Sequence, residues 1–381
     1  MSKPTYYEFF AGGGMARAGL GEGWRCLFAN DFDAKKAQTY RANWGGDEFL
    51  LGDVRALDTA QLPGVADLVW ASFPCQDLSL AGRGAGLAGE RSGTFWPFFD
   101  LVRRLRTEGR APRLLAFENV CGTLTSHGGK DFAAICEALA GTGYRCGALV
   151  IDAALFVPQS RPRLFVVAAE ATLPIPLAMT APNPATPFHP PRLRGALERL
   201  PDAARRAWVW WRLASPRARN LSLAELVETR PRGVAWRSEE ETRALVSLMS
   251  ETHRERLAAE RAAGRPAVGA VYRRTRYSAA GVKMQRAEAR FDGLSGCLRT
   301  PAGGSSRQFL LFVDGARLRS RLISARETAR LMGLAEDYIL PSGYSDAYRL
   351  TGDGVVAPVV RHLSHHLLEP LLQAGAQRQA A

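Results

Sequence analysis

Several residues able to do chemistry stand beside apolar runs in the first half of this chain. Cys75, in Ser72-Phe73-Pro74-Cys75-Gln76, follows the apolar run 67–73. Glu118, in Glu118-Asn119-Val120, follows the run 114–117. Arg161 and Arg163, in Gln159-Ser160-Arg161-Pro162-Arg163, precede the run 164–168. A cysteine where a strand ends is a candidate nucleophile, because a thiolate is intrinsically reactive. A carboxylate at the same kind of edge is a candidate for proton transfer. Alternating arginines share one face of an extended segment, and such pairs hold carboxylates or phosphates. Residues 82–93 contain five glycines, a candidate mobile lid beside the nucleophile. Each feature alone has an ordinary structural explanation; in this order at successive strand ends they point to one site.

A second constellation precedes it. Phe10-Ala11-Gly12-Gly13-Gly14 follows the short apolar run from Tyr6, and glycines there let backbone approach a ligand at a helix start. Asp31 falls at the expected end of the next strand, where a carboxylate accepts hydrogen bonds from ribose hydroxyls. Asp53 falls at the end after that. Together they imply an adenosine-type nucleotide cofactor without saying which.

These residues need a sheet to hold them at one edge. The first ~170 residues alternate apolar strand-like runs with amphipathic helical stretches (34–43, 95–106 and 132–139), the pattern of βαβ units and a mostly parallel sheet. Residues 171–200 are proline-rich and read as a linker. Residues 201–290 carry 19 Lys+Arg against 10 Asp+Glu, most of the +13 net charge of the 381-residue chain. That asymmetry suits a polyanionic partner. The same stretch holds Trp208, Trp210, Trp211 and Trp236, and the cluster at 208–211 is read as core of a smaller domain. Ser324 to Glu327 is a capping box opening a helix, and 355–373 reads as a final amphipathic helix whose His362, His365 and His366 lie at the surface. Six cysteines without a C-x-x-C pair exclude a disulfide scaffold and a zinc ribbon, and no metal centre is expected. No apolar run approaches the ~20 residues of a membrane span, and the N-terminus lacks a secretory h-region.

With these residues in view, the chain resembles the DNA (cytosine-5)-methyltransferase family of bacterial or phage type. The FAGGG turn resembles the family's first cofactor motif. Pro74-Cys75-Gln76, Glu118-Asn119-Val120 and Gln159/Arg161/Arg163 match its Pro-Cys-Gln, Glu-Asn-Val and Gln-x-Arg-x-Arg motifs. Leu298-Arg299-Thr300, and Arg326-Glu327 through Gly352-Asp353-Gly354-Val355, are similar to its later motifs. Only about 171–285 falls outside, where the family carries its target-recognition region. The departures are Met15 for a usual glycine, Asp353 for a usual asparagine and Glu8 for the commoner aspartate.

The resemblance implies an α/β fold: a mostly parallel, doubly wound, Rossmann-like methyltransferase sheet with a smaller irregular target-recognition domain. Boundaries are expected at 1–170 (catalytic and cofactor-binding), 171–340 (target recognition) and 341–381 (returning to the catalytic domain). It implies S-adenosyl-L-methionine as cofactor, with Phe10 against the adenine or the methionine end, backbone contacts from Ala11, Gly12, Gly13 and Gly14, Asp31 on the ribose and Asp53 on the adenine amine. Pro74 and Val355 would line the pocket, with Phe32, Val54 and Asp353 in the same set. Cys75 would add to C6 of a flipped cytosine, Glu118 would serve N3, and Arg161 and Arg163 would hold Glu118, the base or its phosphate. Gln76, Asn119 and Gln159, with Arg273, Arg274, Arg276 and Arg286 of the basic stretch, would face DNA. The implied partner is double-stranded DNA, with a cognate restriction endonuclease in some settings, and the implied setting is a monomer in the cytoplasm or on the nucleoid. The competing readings are a tRNA cytosine-5 methyltransferase of the same fold, a DNA-binding protein with a decayed site, and a nicotinamide oxidoreductase. The last leaves Cys75, Glu118 and Arg163 without a role.

Overall fold

The computed structural model describes residues 3–74, 92–184, 187–277, 281–300 and 307–379. The chain divides into two compact units: residues 1–152, 162–217 and 354–381 form the first, and 153–161 with 218–353 the second.

The first unit is built on a seven-stranded sheet. Its strands are β1 (Thr5–Phe9), β2 (Arg25–Asp31), β3 (Phe49–Leu51), β4 (Leu68–Ala71), β5 (Leu114–Val120), β6 (Tyr144–Asp152) and β7 (Pro162–Glu170), in the order β3-β2-β1-β4-β5-β7-β6. The pairs among β1 to β5 are parallel, while β7 runs antiparallel to both neighbours. Strand interiors such as Leu68-Val69-Trp70-Ala71 are buried on both faces, as a sheet covered on both sides requires. The helices between them are α1 (Met15–Leu20), α2 (Ala34–Trp44), α3 (Phe95–Thr107) and α4 (Lys130–Gly141). Asp33 caps α2, its carboxylate accepting from the Lys35 and Lys36 N–H groups at 2.9 and 3.2 Å. Phe95, Phe98 and Phe99 turn the apolar face of α3 into a core with Phe9, Phe73 and Phe117.

The proline-rich stretch is not a linker. It packs into the first unit as β8 (Thr180–Ala181) and α5 (Pro191–Glu198), followed by α6 (Asp202–Arg206) and β9 (Trp210–Trp211). Pro191 sits in the first turn of α5, where a missing N–H costs nothing, and Leu193 behind it is fully buried. The tryptophans expected in the small domain's core belong here instead. Trp211 is buried and donates to the Val167 carbonyl at 3.0 Å, and Trp208 packs edge-on against Phe132.

The second unit contains α7 (Leu223–Leu226), α8 (Glu239–Ser247), α9 (Glu251–Ala262) and a four-stranded antiparallel sheet. The sheet's strands are β10 (Ala267–Tyr277), β11 (Lys283–Arg290), β12 (Phe309–Asp314) and β13 (Arg317–Leu322), in the order β11-β10-β12-β13. Leu245, Met249 and Leu257 pack on Val271, Ala287 and Leu311. Then come α10 (Ala325–Leu331), opened by the expected Ser324–Glu327 capping box, and α11 (Tyr344–Asp353). The boundaries therefore differ from 170 and 340: the second unit starts with a nine-residue excursion at Ala153, resumes at Ala218 and runs to Asp353.

The chain returns to the first unit as the expected final helix, which runs unbroken through α12 (Ala357–Leu363), a π turn (Ser364–Leu368) and α13 (Glu369–Gln379). α12 lies against α1 at Gly19, where a Cβ would stand 2.4 Å from that of Val360, so the approach requires glycine. His362 is not at the surface; it is buried and its Nε2 bonds the Ala214 carbonyl at 2.7 Å. Among the described residues no helix is long and apolar enough to cross a membrane.

Candidate active site

Five strands of the first unit end at one level. Phe9 is in register with Asn30 and Ala71, Asn30 with Leu50, and Ala71 with Phe117. One step further along, Phe10, Asp31, Leu51, Ser72 and Glu118 line the carboxyl edge. The strand order reverses between β1 and β4, the switch point at which open α/β sheets hold ligands.

The turn after β1 is shaped by its own backbone. Phe10 has φ 56°, a left-handed conformation that costs a non-glycine residue ~1–3 kcal/mol and recurs where ligands are held. Gly14, at φ 76°, caps α1, and a Cβ there would lie 2.3 Å from Trp44 Nε1. That indole donates to the Gly13 carbonyl at 2.9 Å, with the Arg17 guanidinium 5.3 Å from its ring. Met15 replaces a glycine at no conformational cost, because it is the first helical residue of α1 and its side chain is buried.

Asp31 is buried. It accepts from the Gly12 N–H at 2.8 Å and the Asp33 N–H at 2.9 Å. Burial raises its pKa, opposed by the Lys36 charge and by those two N–H groups. Asn30 ties the ends of β2 and β3 together, donating to the Leu50 and Gly52 carbonyls at 3.0 and 2.9 Å. Asp53 caps the next turn, accepting from the Arg55 N–H at 2.9 Å, and Val54 beside it is buried. Phe32 leaves 69% of its surface exposed. An adenosine-bearing cofactor fits this edge: a Cβ at Gly12 would meet only Lys36, at 3.9 Å, so the backbone is open. A fixed carboxylate and an exposed aromatic face lie on the adjoining strand end.

Beneath the turn, Glu8 is buried and its Oε2 has no hydrogen-bond partner among the described residues. Burial raises its pKa from 4.5 to about 8, opposed by the charge and backbone N–H of Arg17 and helped by Asp31. The folded chain thus holds this proton more tightly than the unfolded one. Its stabilising contribution is complete below about 4.5 and is lost as pH climbs toward 8. Glu8→Gln cannot titrate, so between pH 5 and 8 it should gain ~3 kcal/mol relative to the parent. Melting temperatures across that range check this; parallel curves for the two proteins rule it out.

The other half of the edge carries a buried carboxylate and a guanidinium. Glu118 is buried, and Arg163 on the neighbouring β7 holds it, Nε to Oε1 at 3.2 Å. Register explains the meeting: Glu118 faces Phe165 and Val120 faces Arg163, so the carboxylate and guanidinium share one face. Asn119 points elsewhere than expected. It is buried, donates to the Phe73 carbonyl at 3.2 Å, and accepts from the Val120 N–H and the Thr123 hydroxyl. It braces the segment that leads to Pro74, because its side chain lies on the opposite face from Glu118. Cys75 and Gln76 lie outside the described residues, as does the glycine-rich segment up to Arg91.

Arg161 and Arg163 do not form the expected pair. β7 begins at Pro162, so Arg161 precedes the ladder and belongs to the second unit. It is buried there, donating to the Leu298 and Gly352 carbonyls, both at 2.9 Å, and to Cys297 Sγ at 3.3 Å. Gln159 is fully buried in the same unit, donating to the Leu331 carbonyl at 2.8 Å and accepting from the Leu298 N–H at 3.0 Å. Both side chains bond backbone groups of the second unit. Asp353 accepts from the Thr300 hydroxyl, also in the second unit, whereas Val355 is buried in the first. Arg273, Arg274, Arg276 and Arg286 lie on β10 and β11. The supporting roles of Asn30 and Trp44 were not legible in the sequence; the only signal was their place near a glycine turn.

A family model described as C-5 cytosine-specific DNA methylase matches residues 5–369. Among curated relatives, the Type II methyltransferase M.BsuFI of Bacillus subtilis is 27% identical over 378 residues, covering 98% of this chain and 75% of the relative. M.NlaX of Neisseria lactamica is 26% identical over 364 residues, covering 94% and 95%. Among solved structures, the Dnmt2 methyltransferase of S. pombe superposes with TM-score 0.58 at 16% identity, covering 97% of this chain and 99% of that one. A DNMT2 variant of Spodoptera frugiperda gives 0.60 at 17%.

Proposed function

This chain belongs to the C-5 cytosine-specific DNA methylase family, and from that premise we propose that Cys75, Glu118 and Arg163 carry its chemistry at the carboxyl edge of the first unit. The reaction is methylation of C5 of cytosine in a specific DNA sequence, with S-adenosyl-L-methionine as cofactor. The observation that supports this assignment of roles is the buried Glu118–Arg163 pair at the strand end beside the one leading to Pro74.

C5 of cytosine is too weak a nucleophile to take a methyl group unaided. Cys75 adds as thiolate to C6, forming the S–C6 bond and pushing the C5–C6 π electrons toward C5 and N3. Glu118 supplies a proton at N3 as that charge develops and accepts from the exocyclic amine. Arg163 holds the Glu118 carboxyl in place, so that its orientation is set before the base arrives. The FAGGG turn, Asp31, Phe32 and Asp53 would hold the adenosine of S-adenosylmethionine, which when bound would supply the methyl group to the activated C5 and leave as S-adenosylhomocysteine. Loss of the C5 proton to a base then restores the C5–C6 double bond and expels the Cys75 thiolate. The thiolate and the methyl group must approach the faces of the ring, which neighbouring bases cover in duplex DNA, so the cytosine must leave the stack to reach these residues.

The second unit, with its arginine-rich β10 and β11, is the target-recognition element in this reading. A cognate restriction endonuclease is the partner that the relatives' Type II designation supports. The reading is tested by nucleoside mass spectrometry on mixed-sequence genomic DNA incubated with protein and S-adenosylmethionine, using retention to separate C5 from N4 methylation. 5-Methylcytosine, absent without the cofactor, is the expected result. Unmodified DNA with the cofactor demonstrably bound would move the search to RNA.

A further inference from the structure

β10 is longer than its sheet. It pairs with β12 only over Ala267–Val271 but with β11 from Ala270 to Tyr277. Residues 272–277 and 283–288 therefore continue as a two-stranded antiparallel ribbon about 20 Å long. A two-stranded ribbon is one of the shapes the DNA major groove admits. The ribbon carries Arg273, Arg274, Arg276, Lys283 and Arg286 against one acid, Glu288.

The register sorts these side chains. Val271, Ala287 and Ala289 turn to the core, and Arg273 on that side lies over the Phe309 ring at 5.3 Å. The other face presents Arg274 and Arg276 with Met284, Arg286 and Glu288 of the facing strand. Glu288 uses both carboxylate oxygens on the arginines. Oε2 meets Arg274 Nε at 3.1 Å, and Oε1 accepts from Arg276 Nε at 2.8 Å. The Arg274 guanidinium also lies 5.3 Å from the Tyr272 ring. Arg286, directly across from Arg274, has no carboxylate partner among the described residues. Arg276, Arg286 and Glu288 border an open depression of about 530 Å³.

A lone acid facing a polyanion weakens binding unless it does something else. Here it fixes the planes of two guanidinium forks. A fixed fork can meet the O6 and N7 acceptors of guanine together, whereas a loose one serves any phosphate equally well. We propose that Glu288 is a specificity-positioning residue: it orients Arg274 and Arg276 to read a guanine in the major groove, and Arg286 contacts phosphate. This rests on the reading of the protein as a sequence-specific DNA methyltransferase.

The test is methylation of a randomised DNA library, sequenced to give a preference at each position around the modified cytosine. Glu288→Gln keeps the shape but loses the charge that holds both forks. It should weaken the preference for one G·C pair roughly tenfold to a hundredfold and leave other positions as they were. Arg276→Lys, which keeps charge and loses the fork, should shift the same position. Arg286→Ala should lower methylation in every context and reduce the salt slope by about one. An unchanged profile for Glu288→Gln, with the Arg276→Lys profile shifted, overturns the role of Glu288 and leaves the ribbon as reader. Unchanged profiles for both overturn the ribbon. Failure of the parent protein to methylate any DNA is a failure of the underlying reading instead. Should Glu288→Gln melt well below the parent, Arg276→Lys alone decides whether an oriented fork reads that position.

Discussion

Replacing Cys75 by serine is expected to abolish DNA methylation, with turnover falling on the order of 10⁴-fold or more, while S-adenosylmethionine still binds. The hydroxyl is nearly isosteric, but at neutral pH it is almost never ionised, whereas a thiol is thiolate a few per cent of the time and sulfur attacks carbon more readily. The residues proposed to hold the cofactor at Phe10 to Gly14, Asp31 and Asp53 lie on other strand ends, so their hydrogen bonds do not depend on the sulfur. Two measurements check this. Transfer of labelled methyl groups should vanish while equilibrium dialysis shows cofactor uptake unchanged. DNA bearing 5-fluorocytosine should also trap the parent protein as a covalent adduct, because fluorine cannot leave C5 as a proton does, and should fail to trap Cys75→Ser. Turnover within tenfold of the parent would remove Cys75 from the mechanism.

The strand ends were legible because each obeys a local rule. Apolar runs bounded by Gly, Pro or Asp became β1, β4 and β5, and parallel pairing then aligned their carboxyl ends without further information. What a local rule could not show is which segment of a distant stretch packs where. Prolines at 171–200 look like a linker, yet Pro191 starts a helix and Leu193 behind it is buried. The tryptophans at 208–211 lie in a basic stretch, but Trp211 bonds to β7, placed over forty residues earlier. The alternation of Arg161 and Arg163 suggests a shared face; it fails because the strand starts between them, at Pro162. The resemblance implies that Asn119 faces DNA, whereas side chains of neighbouring strand residues point oppositely and Asn119 bonds Phe73, Val120 and Thr123. The sequence spacing placed Asp31 and Glu118 at strand ends, while which side chains bond the backbone around them depended on packing and burial.

Glu118→Gln has its own expected signature. Glutamine can still donate to N3 and accept from the exocyclic amine, so DNA binding and KM should change little. It cannot transfer a proton, so kcat should fall ~10²- to 10⁴-fold, the usual worth of a positioned acid. The structure adds a condition on its partner. Arg163 is held 3.2 Å from Glu118, both are largely buried, and Arg163→Ala would leave the carboxyl without the guanidinium that orients it. Residues that act as one unit lose their effect together, so Glu118→Gln with Arg163→Ala should cost far less than the product of the two single losses. Arg163→Lys keeps the charge but not the planar fork, and should fall between parent and Arg163→Ala. Single-turnover methyl transfer on one oligonucleotide measures all four variants. A multiplicative double variant would mean that Arg163 acts on the DNA rather than through Glu118, and a fall of less than tenfold in Glu118→Gln would place the proton donor elsewhere on the edge.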